Sequence, residues 1–319
     1  APAIAAGCTV VVKPAEFTPL CALALAELAH RAGIPQGVIN VVPTEHAAAV
    51  GKVLCDSPVV RHLSFTGSTE VGRILMAQCA PTIKKLALEL GGNAPFIVFD
   101  DADVDAAVDG LMAAKFRNGG QTCVCPNRVF VHRSVYEAFA SQLSARVAAL
   151  HVGPASEAAS QIGPMINDRA VEKIERHVQD AVAKGARVLT GGRRLTDLGP
   201  TYYAPTVLSV ATASMACACE ETFGPVLPIA IFDTLDQVIA LANDSAFGLT
   251  SSVYTTNLNE AFYVIRRLQF GETYLNRENF EAMQGFHAGW KQSGIGGADG
   301  KHGLEEYLQT QVVYLETDI

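Results

Sequence analysis

Residues 62–72 read HLSFTGSTEVG, a run that joins a strand, a glycine turn and the start of a helix. His62–Phe65 has the length and character of a strand, and a helix is predicted over about Glu70–Ala80. The turn at Gly67 would leave backbone N–H groups and the positive end of the helix dipole beyond the strand, where an anion can bind. The run matches neither the GxGxxG fingerprint nor the P-loop motif. An ordinary tight turn therefore explains it as well as an anion-binding turn does.

The same alternation extends on both sides of this run. Apolar or β-branched segments predict further strands at Cys8–Val12, Val38–Val42 and Lys85–Leu90. Helices are predicted between them at Pro19–Ala32 and Ala47–Leu54. Strands that alternate with helices of this length indicate βαβ units and a parallel sheet, in which Cys8–Val12 would be buried on both faces.

The pair Gly91-Gly92 is the best candidate for a domain boundary, because the spacing of the elements changes after it. Ser134 and Glu137 form a capping-box pattern ahead of a helix, and Thr234 with Gln237 forms another. The helices predicted in this part are Asp103–Phe116, Tyr136–Leu150, Asn167–Lys184, Leu235–Asn243 and Asn259–Leu268. The strands predicted here are Val129–His132, Leu249–Tyr254 and Thr273–Leu275.

The composition narrows the class of protein. The chain has 319 residues, of which 49% are hydrophobic, so it can bury a large core in about two domains. A net charge of −8 argues against a nucleic-acid or anionic-membrane partner. No apolar run is long enough to span a bilayer, and Ala1–Gly7 lacks the basic region of a signal peptide, so the start reads as an internal cut. The eight cysteines suggest neither a disulfide framework nor a metal site.

Residues 118–128 read NGGQTCVCPNR, which places Cys123 behind a glycine pair and ahead of a strand. Glycines let the backbone approach a ligand closely, and a thiol at such a place can act as a nucleophile. A small buried cysteine in a turn is the alternative. Glu89 ends a predicted strand beside Gly91-Gly92, where a carboxylate can serve as a general base.

Seven motifs occur together and in order: KPAE, FTGSTEVG, LELGG, GQTC, EETFGP, FGLTSSVY and GWKQSGIG. On these motifs the chain resembles the NAD(P)-dependent aldehyde dehydrogenase superfamily from end to end. The resemblance implies an α/β fold with a Rossmann-type parallel-sheet NAD-binding domain at residues 1–91, an α/β catalytic domain at 92–296 and a tail at 297–319 with an oligomerisation strand. It also implies NAD as the cofactor, an aldehyde as substrate and a cytoplasmic homodimer or homotetramer.

The resemblance assigns roles residue by residue. Cys123 would be the nucleophile that attacks the aldehyde, and Glu89 would activate the water that hydrolyses the resulting thioester. The residues that would hold the cofactor are Lys13, Glu16, Gly67, Ser68, Glu221 and Phe223. Glu16 favours NAD over NADP, because its carboxylate would repel a 2′-phosphate. Relative to the family, the first strand of the cofactor domain and an oxyanion-binding Asn precede residue 1, so we expect the chain alone to be poorly active.

The C-terminal part indicates one substrate class. Residues 274–290 and 297–304 resemble lactaldehyde and glycolaldehyde dehydrogenases. In that group the residues that match Glu281 and His287 can hydrogen-bond a 2-hydroxyl. The first candidate substrate is therefore a 2-hydroxyaldehyde, although surface loops carry Glu and His for other reasons.

The nucleophile's own segment indicates another substrate. Residues 116–125 resemble succinate-semialdehyde dehydrogenases, in which the residue matching Arg117 binds a distal carboxylate by a bidentate pair. Succinate semialdehyde is thus the alternative substrate, and a structural ion pair is the alternative role of Arg117. Cys125 could form a reversible disulfide with Cys123.

Two hypotheses of other classes stay open at this point. Cys123 and Glu89 would also suffice for a cysteine-dependent esterase or thioesterase that needs no cofactor. The chain could otherwise be an inactive fragment in which Thr310–Leu315 forms a strand on another subunit.

Overall fold

The computed structural model describes residues 1–317, which divide into two compact units. The first unit comprises Ala1–Glu89, Ala282–Ala288 and the described residues from Ile295 onward. The second comprises Leu90–Glu281 and Gly289–Gly294. The first unit ends two residues before the predicted boundary at Gly91-Gly92, and the assignment of a cofactor domain and a catalytic domain stays a prediction.

The first unit alternates strands and helices, as predicted. Its helices are α1 (Pro2–Ala5), α2 (Leu20–Arg31), α3 (Ala47–Asp56) and α4 (Thr69–Cys79), followed by a 3-10 turn at Ala80–Thr82. Its strands are β1 (Val10–Val12), β2 (Ile39–Val41), β3 (His62–Thr66) and β4 (Lys85–Glu89). The strands β1 and β2 pair in parallel, and so do β3 and β4, with Thr66 opposite Glu89. The parallel pairing places the ends of β3 and β4 at one edge, as the βαβ pattern requires.

The prediction that Cys8–Val12 is buried on both faces is wrong. Within the described residues the strand comprises Val10–Val12 only, and the side chains of Val11 and Val12 are 49% and 38% exposed. The helix α2 likewise has no buried residue. A β-branched run indicates a strand, but it does not tell what covers that strand.

The second unit is built around a seven-stranded sheet. The strands of this unit, inside and outside the sheet, are β5 (Ala94–Val98), β6 (Pro126–His132), β7 (Arg187–Thr190), β8 (Thr206–Ser209), β9 (Val226–Phe232), β10 (Phe247–Gly248), β11 (Thr250–Tyr254), β12 (Glu272–Leu275) and β13 (Trp290–Lys291). The order in the sheet is β12-β11-β5-β6-β9-β8-β7, and the pairs are parallel except β7 with β8. The strands β10 and β13 form a separate antiparallel pair.

Helices cover this sheet and complete its core. They are α5 (Val104–Phe116), α6 (Tyr136–Ala148), α7 (Asp168–Ala183), α8 (Ala216–Cys219), α9 (Leu235–Asn243) and α10 (Leu258–Ile265). Neighbouring strand residues face opposite ways, so Phe96 packs in one apolar cluster with Phe139, and Ile97 in another with Val264. The chain passes from the second unit to the first within β14 (Gly294–Ile295), and the first unit then contains α11 (Gly300–Glu305).

Five of the eleven α-helices formed by residues 1–317 begin at a residue whose side chain caps the helix. Asp103 accepts a hydrogen bond from Ala106 N–H at 3.0 Å, and Thr234 accepts one from Gln237 N–H at 3.3 Å. The prediction of a capping box at Ser134 and Glu137 is wrong, because α6 has Val135 at its N-cap and no side-chain cap. The Ser134 hydroxyl instead lies 2.8 Å from Nδ1 of His132.

Residues 310–317 contain no strand in the part of the chain that the structure describes. Their role in assembly, predicted for Thr310–Leu315, therefore stays a prediction. The helices within residues 1–317 are all too short or too polar to cross a membrane.

Candidate active site

The nucleophile candidate Cys123 follows a tight turn at the end of α5. The turn, Arg117–Gly120, is 3-10 in type, and Asn118 and Gly119 adopt positive φ angles of 51° and 64°. The amide side chains of Asn118 and Gln121 each donate to the other's backbone carbonyl at 3.1 Å. These bonds fix the turn, and the chain leaves it at Cys123, whose side chain is partly exposed.

Two glycines allow other segments to approach this loop. A Cβ at Gly92 would clash with the carbonyl oxygen of Cys123, and a Cβ at Gly120 would clash with the carbonyl oxygen of Gly224. The LELGG and EETFGP motifs therefore contact the nucleophile loop through their backbones. Close backbone approach explains why glycine stands at 92 and 120.

The carbonyl of Val124 is held by two side chains. It accepts hydrogen bonds from Thr250 Oγ1 and from Asn279 Nδ2, each at 3.0 Å. Asn279 is 1% exposed, and its Oδ1 accepts from Ser252 Oγ at 2.6 Å. The backbone N–H of Cys123 donates to no residue within 1–317, so it is available to an oxyanion formed at this thiol. Asn279 was not singled out from the sequence, because an isolated Asn in a loop gives no pattern.

Buried polar side chains hold the EETFGP turn, residues 220–225, by hydrogen bonds. Asn127 accepts from Thr222 N–H at 3.2 Å and donates to Glu220 O at 3.0 Å. The ring of His177, which is fully buried, lies 3.0 Å from Thr222 Oγ1 and 3.2 Å from Glu220 Oε2. Burial lowers the pKa of His177, and the hydrogen bond with Glu220 opposes this shift. Neither Asn127 nor His177 was singled out from the sequence.

The two cofactor candidates on this turn differ in environment. Glu221 Oε1 accepts a hydrogen bond from Gly92 N–H at 2.8 Å. Phe223 has a positive φ of 54° and a side chain that is 37% exposed. An exposed ring on a fixed turn can contact a flat ligand, so the position of Phe223 is compatible with its predicted role.

The side chain of Arg117 stacks on an aromatic ring. Its guanidinium carbon lies 4.2 Å from the centre of the Phe280 ring, a cation–π distance. Its Nε is buried and has no hydrogen-bond partner within residues 1–317. A buried N–H without a partner is costly, so an anionic group bound here would be stabilised. Glu281, the next residue after Phe280, is exposed.

Glu89, the base candidate, lies in the first unit at the end of β4. It is 8% exposed, and its carbonyl accepts from Gly67 N–H at 3.0 Å. Its Oε2 lies 3.4 Å from Nε2 of His287. The sequence predicted both residues as functional and did not predict that they meet.

A glycine turn joins β3 to α4, and the Gly67 N–H in this turn donates to Glu89 O. A Cβ at Gly67 would clash with the ring of Phe65, so the turn requires glycine. Ser68 caps α4 and accepts from Val71 N–H at 3.4 Å. Lys13 lies after β1, 3.7 Å from the carboxylate of Glu16, and both are partly exposed. A strand-end carboxylate, a cation and a helix N-terminus are the groups that hold a dinucleotide, so these residues fit one.

The predicted site residues thus form one set in each unit. The first unit contains Lys13, Glu16, Gly67, Ser68, Glu89 and His287. The second contains Arg117, Cys123, Cys125, Glu221, Phe223 and Glu281.

Comparison with known proteins gives a consistent result. Residues 1–313 match the model of the aldehyde dehydrogenase family. The chain is 51% identical over 318 residues to lactaldehyde dehydrogenase of Escherichia coli (strain K12), covering 99% of this chain and 66% of that protein. It is 52% identical over 307 residues to a probable NADP(+)-dependent succinate-semialdehyde dehydrogenase of Sinorhizobium fredii, covering 96% and 62%.

A solved structure agrees with these relatives. The crystal structure of lactaldehyde dehydrogenase from Escherichia coli superposes with a TM-score of 0.96 at 51% identity, over 99% of this chain and 66% of that one. The chain spans less than two thirds of the length of the relatives that it matches.

Proposed function

The chain belongs to the aldehyde dehydrogenase family, and on this premise we propose that the protein oxidises a short polar aldehyde to its carboxylic acid with NAD+. The observation that carries the proposal is the Cys123 loop. A partly exposed thiol follows a fixed turn, its backbone N–H is available, and the next carbonyl is held by Thr250 and Asn279. This arrangement suits a nucleophile with one oxyanion donor beside it.

Each residue has one task in the proposed mechanism. The Cys123 thiolate attacks the aldehyde carbon and gives a thiohemiacetal, while its backbone N–H donates to the oxyanion. The dinucleotide, when bound, supplies the acceptor for the hydride that leaves this carbon. Glu89 takes a proton from a water molecule, whose oxygen attacks the thioester and releases the acid and the thiol.

The experiment that tests this function uses the protein expressed from its complete gene. Cys123→Ala should abolish NADH formation from aldehyde. Glu89→Gln should retain one rapid turnover per site and then stall, because the thioester is no longer hydrolysed. Aldehyde oxidation that survives Cys123→Ala would overturn the proposal.

For the cofactor we propose NAD rather than NADP. Glu16 supports this choice, since its carboxylate would repel a 2′-phosphate. Lys13, 3.7 Å away, is a cation that a phosphate could use, and the relative from Sinorhizobium fredii is named for NADP(+). Glu16→Ser should therefore raise kcat/KM with NADP relative to NAD, and a wild-type preference for NADP would contradict the assignment.

For the substrate we propose two candidates. A 2-hydroxyaldehyde such as lactaldehyde or glycolaldehyde is supported by the sequence around Glu281 and His287 and by the relative named lactaldehyde dehydrogenase. Succinate semialdehyde is supported by Arg117, whose buried Nε lacks a partner within residues 1–317. The values of kcat/KM for the two aldehydes, measured on the same preparation, decide between them.

We further propose a homodimer or homotetramer in the cytoplasm. The eight thiols are free, which suits a reducing compartment. Val312, Val313 and Leu315 are 67–83% exposed and could pair with another subunit. Light scattering before and after removal of residues 310–319 tests this: an unchanged mass would contradict the role of the tail.

A further inference from the structure

Glu89 and His287 meet inside the first unit. Nε2 of His287 lies 3.4 Å from Oε2 of Glu89, and the two side chains are 12% and 11% exposed. Away from bulk water, an N–H near a carboxylate interacts more strongly than at the surface. The pair is therefore placed so that the histidine influences the carboxylate directly.

The backbone of His287 is fixed by its neighbours. Its N–H donates to Ala298 O at 2.9 Å, and Ala298 N–H donates back to His287 O at 2.8 Å. A Cβ at Gly297 would lie 2.5 Å from His287 O and 2.6 Å from the ring of Phe286. The two segments are thus in close contact, and His287 cannot shift without moving residues 297 and 298.

This segment in turn rests on the strand that carries Glu89. Gly296 has a positive φ of 68°, and a Cβ there would lie 2.6 Å from the carbonyl oxygen of Leu86. Leu86 belongs to β4, which ends at Glu89. The distance between His287 and Glu89 is therefore set by β4 and by the segment packed on it.

We propose that His287 is a positioning residue for the general base. The Nε2–Oε2 contact of 3.4 Å closes to a hydrogen bond, donated by Nε2–H, when substrate binds, and it then fixes the orientation in which the Glu89 carboxylate takes a proton from the attacking water. His287 keeps its own proton throughout. The inference rests on the proposed role of Glu89. A charge-assisted hydrogen bond is usually about 2.7–2.9 Å long, and catalytic contacts commonly tighten when substrate binds.

This role differs from the one that the sequence suggested. A residue that only binds a 2-hydroxyl matters for hydroxyaldehydes and has no effect on aldehydes that lack this group. A residue that positions the base affects hydrolysis of the thioester from every aldehyde. The two roles can therefore be distinguished by which aldehydes are affected and by which reaction step is slowed.

The test compares His287→Gln with His287→Asn in the protein expressed from its complete gene. The Gln amide nitrogen can reach the place of Nε2, whereas the Asn side chain is one methylene shorter. Glycolaldehyde and propanal, which lacks the 2-hydroxyl, are the substrates. Rapid mixing gives the rate of the first NADH formed per site, and the steady state gives the rate of hydrolysis.

We expect His287→Asn to slow the steady state by about 10- to 100-fold with both aldehydes, the range for a lost hydrogen bond to a charged group. The first turnover should change by less than about threefold, since it does not use Glu89. His287→Gln, which returns a donor near the place of Nε2, should recover most of the steady-state rate that His287→Asn loses. Both rates come from the same active sites, so their ratio does not depend on the fraction of protein that folds.

Two further variants separate this inference from the proposed function. If Glu89→Gln leaves hydrolysis unchanged, the role of Glu89 itself fails. If Glu89→Gln stalls hydrolysis while His287→Asn raises only KM for glycolaldehyde, the function stands and the positioning role is overturned. In the double variant Glu89→Gln/His287→Asn, hydrolysis should be no slower than in Glu89→Gln alone, and additive losses would contradict action through Glu89.

Discussion

The side-chain nitrogen Nζ of Lys115 lies 3.7 Å from the sulfur of Cys125, and the two residues are 0% and 5% exposed. Lys115 is the penultimate residue of α5, and Cys125 lies two residues after the nucleophile candidate. The Cys125 thiol also donates to Gly120 O at 3.3 Å. A buried amine, a thiol and the turn that precedes Cys123 are thus in direct contact.

The first prediction concerns the stability of this buried amine. Burial of an amine with a thiol as partner costs free energy, and Met has a similar length without a polar nitrogen. Lys115→Met should raise the free energy of unfolding by about 1 kcal/mol in urea titrations. Lys115→Ala, which leaves a cavity, should lower it by about 2 kcal/mol. A Met variant less stable than the Ala variant would show that the amine itself stabilises the fold.

The second prediction concerns oxidation of Cys123. If Cys125 traps oxidised Cys123 as a disulfide, dithiothreitol should restore activity after brief peroxide treatment of the wild type. In Cys125→Ala the sulfenic acid has no such partner and proceeds to irreversible products, so activity should stay lost. Cys219→Ala, in the chain's other C-x-C pair, is the matched control and should behave as wild type. Equal recovery in the two variants would exclude the disulfide.

The third prediction concerns substrate charge. Arg117→Gln keeps a polar side chain and loses the cation that stacks on Phe280. We expect kcat/KM for succinate semialdehyde to fall by about 10- to 100-fold, the size of a lost charge-assisted hydrogen bond. The value for glycolaldehyde should change by less than about threefold. Arg277→Gln, which removes an ion pair with Glu278, is the control, and equal losses with both aldehydes would indicate a purely structural Arg117.

The fourth prediction concerns Asn279 as a support of the nucleophile loop. Asn279→Ala removes one donor from Val124 O and leaves Ser252 Oγ without its acceptor. The free energy of unfolding should fall by about 1–3 kcal/mol, and kcat should fall by about 10-fold as Cys123 loses its fixed position. The exposed Asn259 provides a control variant, Asn259→Ala. Wild-type kcat in Asn279→Ala would show that Thr250 alone holds this carbonyl.

The fifth prediction concerns acid stability at His177. Burial lowers the pKa of His177 from its ordinary 6.5, with Glu220 opposing the shift and Lys173 and Arg176 adding to it. As the pH falls through 6.5, the unfolded chain takes up the proton first, so the stability that His177 contributes when neutral is lost below this pH.

The corresponding measurement is the midpoint of urea unfolding between pH 7.5 and 5.5. The midpoint of the wild type should fall more steeply than that of His177→Gln, which cannot titrate. Parallel curves for wild type and His177→Gln would contradict the shift.

The elements of the fold could be predicted because their signals are local. The glycine turn at Gly67, the cap at Asp103 and the amphipathic helix α7 each depend on a few neighbouring residues. Burial could not be predicted in the same way, as the exposed Val11 and Val12 show, because it depends on what packs against a strand.

The residues of the site also divide into those with a local sequence signal, which could be predicted, and those without one. Cys123 and Glu89 stand in motifs that the sequence displays, and their neighbours are distant in the chain. Asn279 is 155 residues from the carbonyl that it binds, and His287 reaches Glu89 only after the chain has returned to the first unit. Single polar residues of this kind give no periodicity or spacing from which a contact could be read.

The hydrogen bond from Asn279 to Val124 has a consequence for biosynthesis. The ribosome makes the thiol long before it makes the asparagine that holds the following carbonyl. During that interval the turn can form through Asn118 and Gln121, but the carbonyl of Val124 lacks the Asn279 donor. A chain released before Asn279 is made would therefore carry the thiol next to a carbonyl that lacks one of its two side-chain donors.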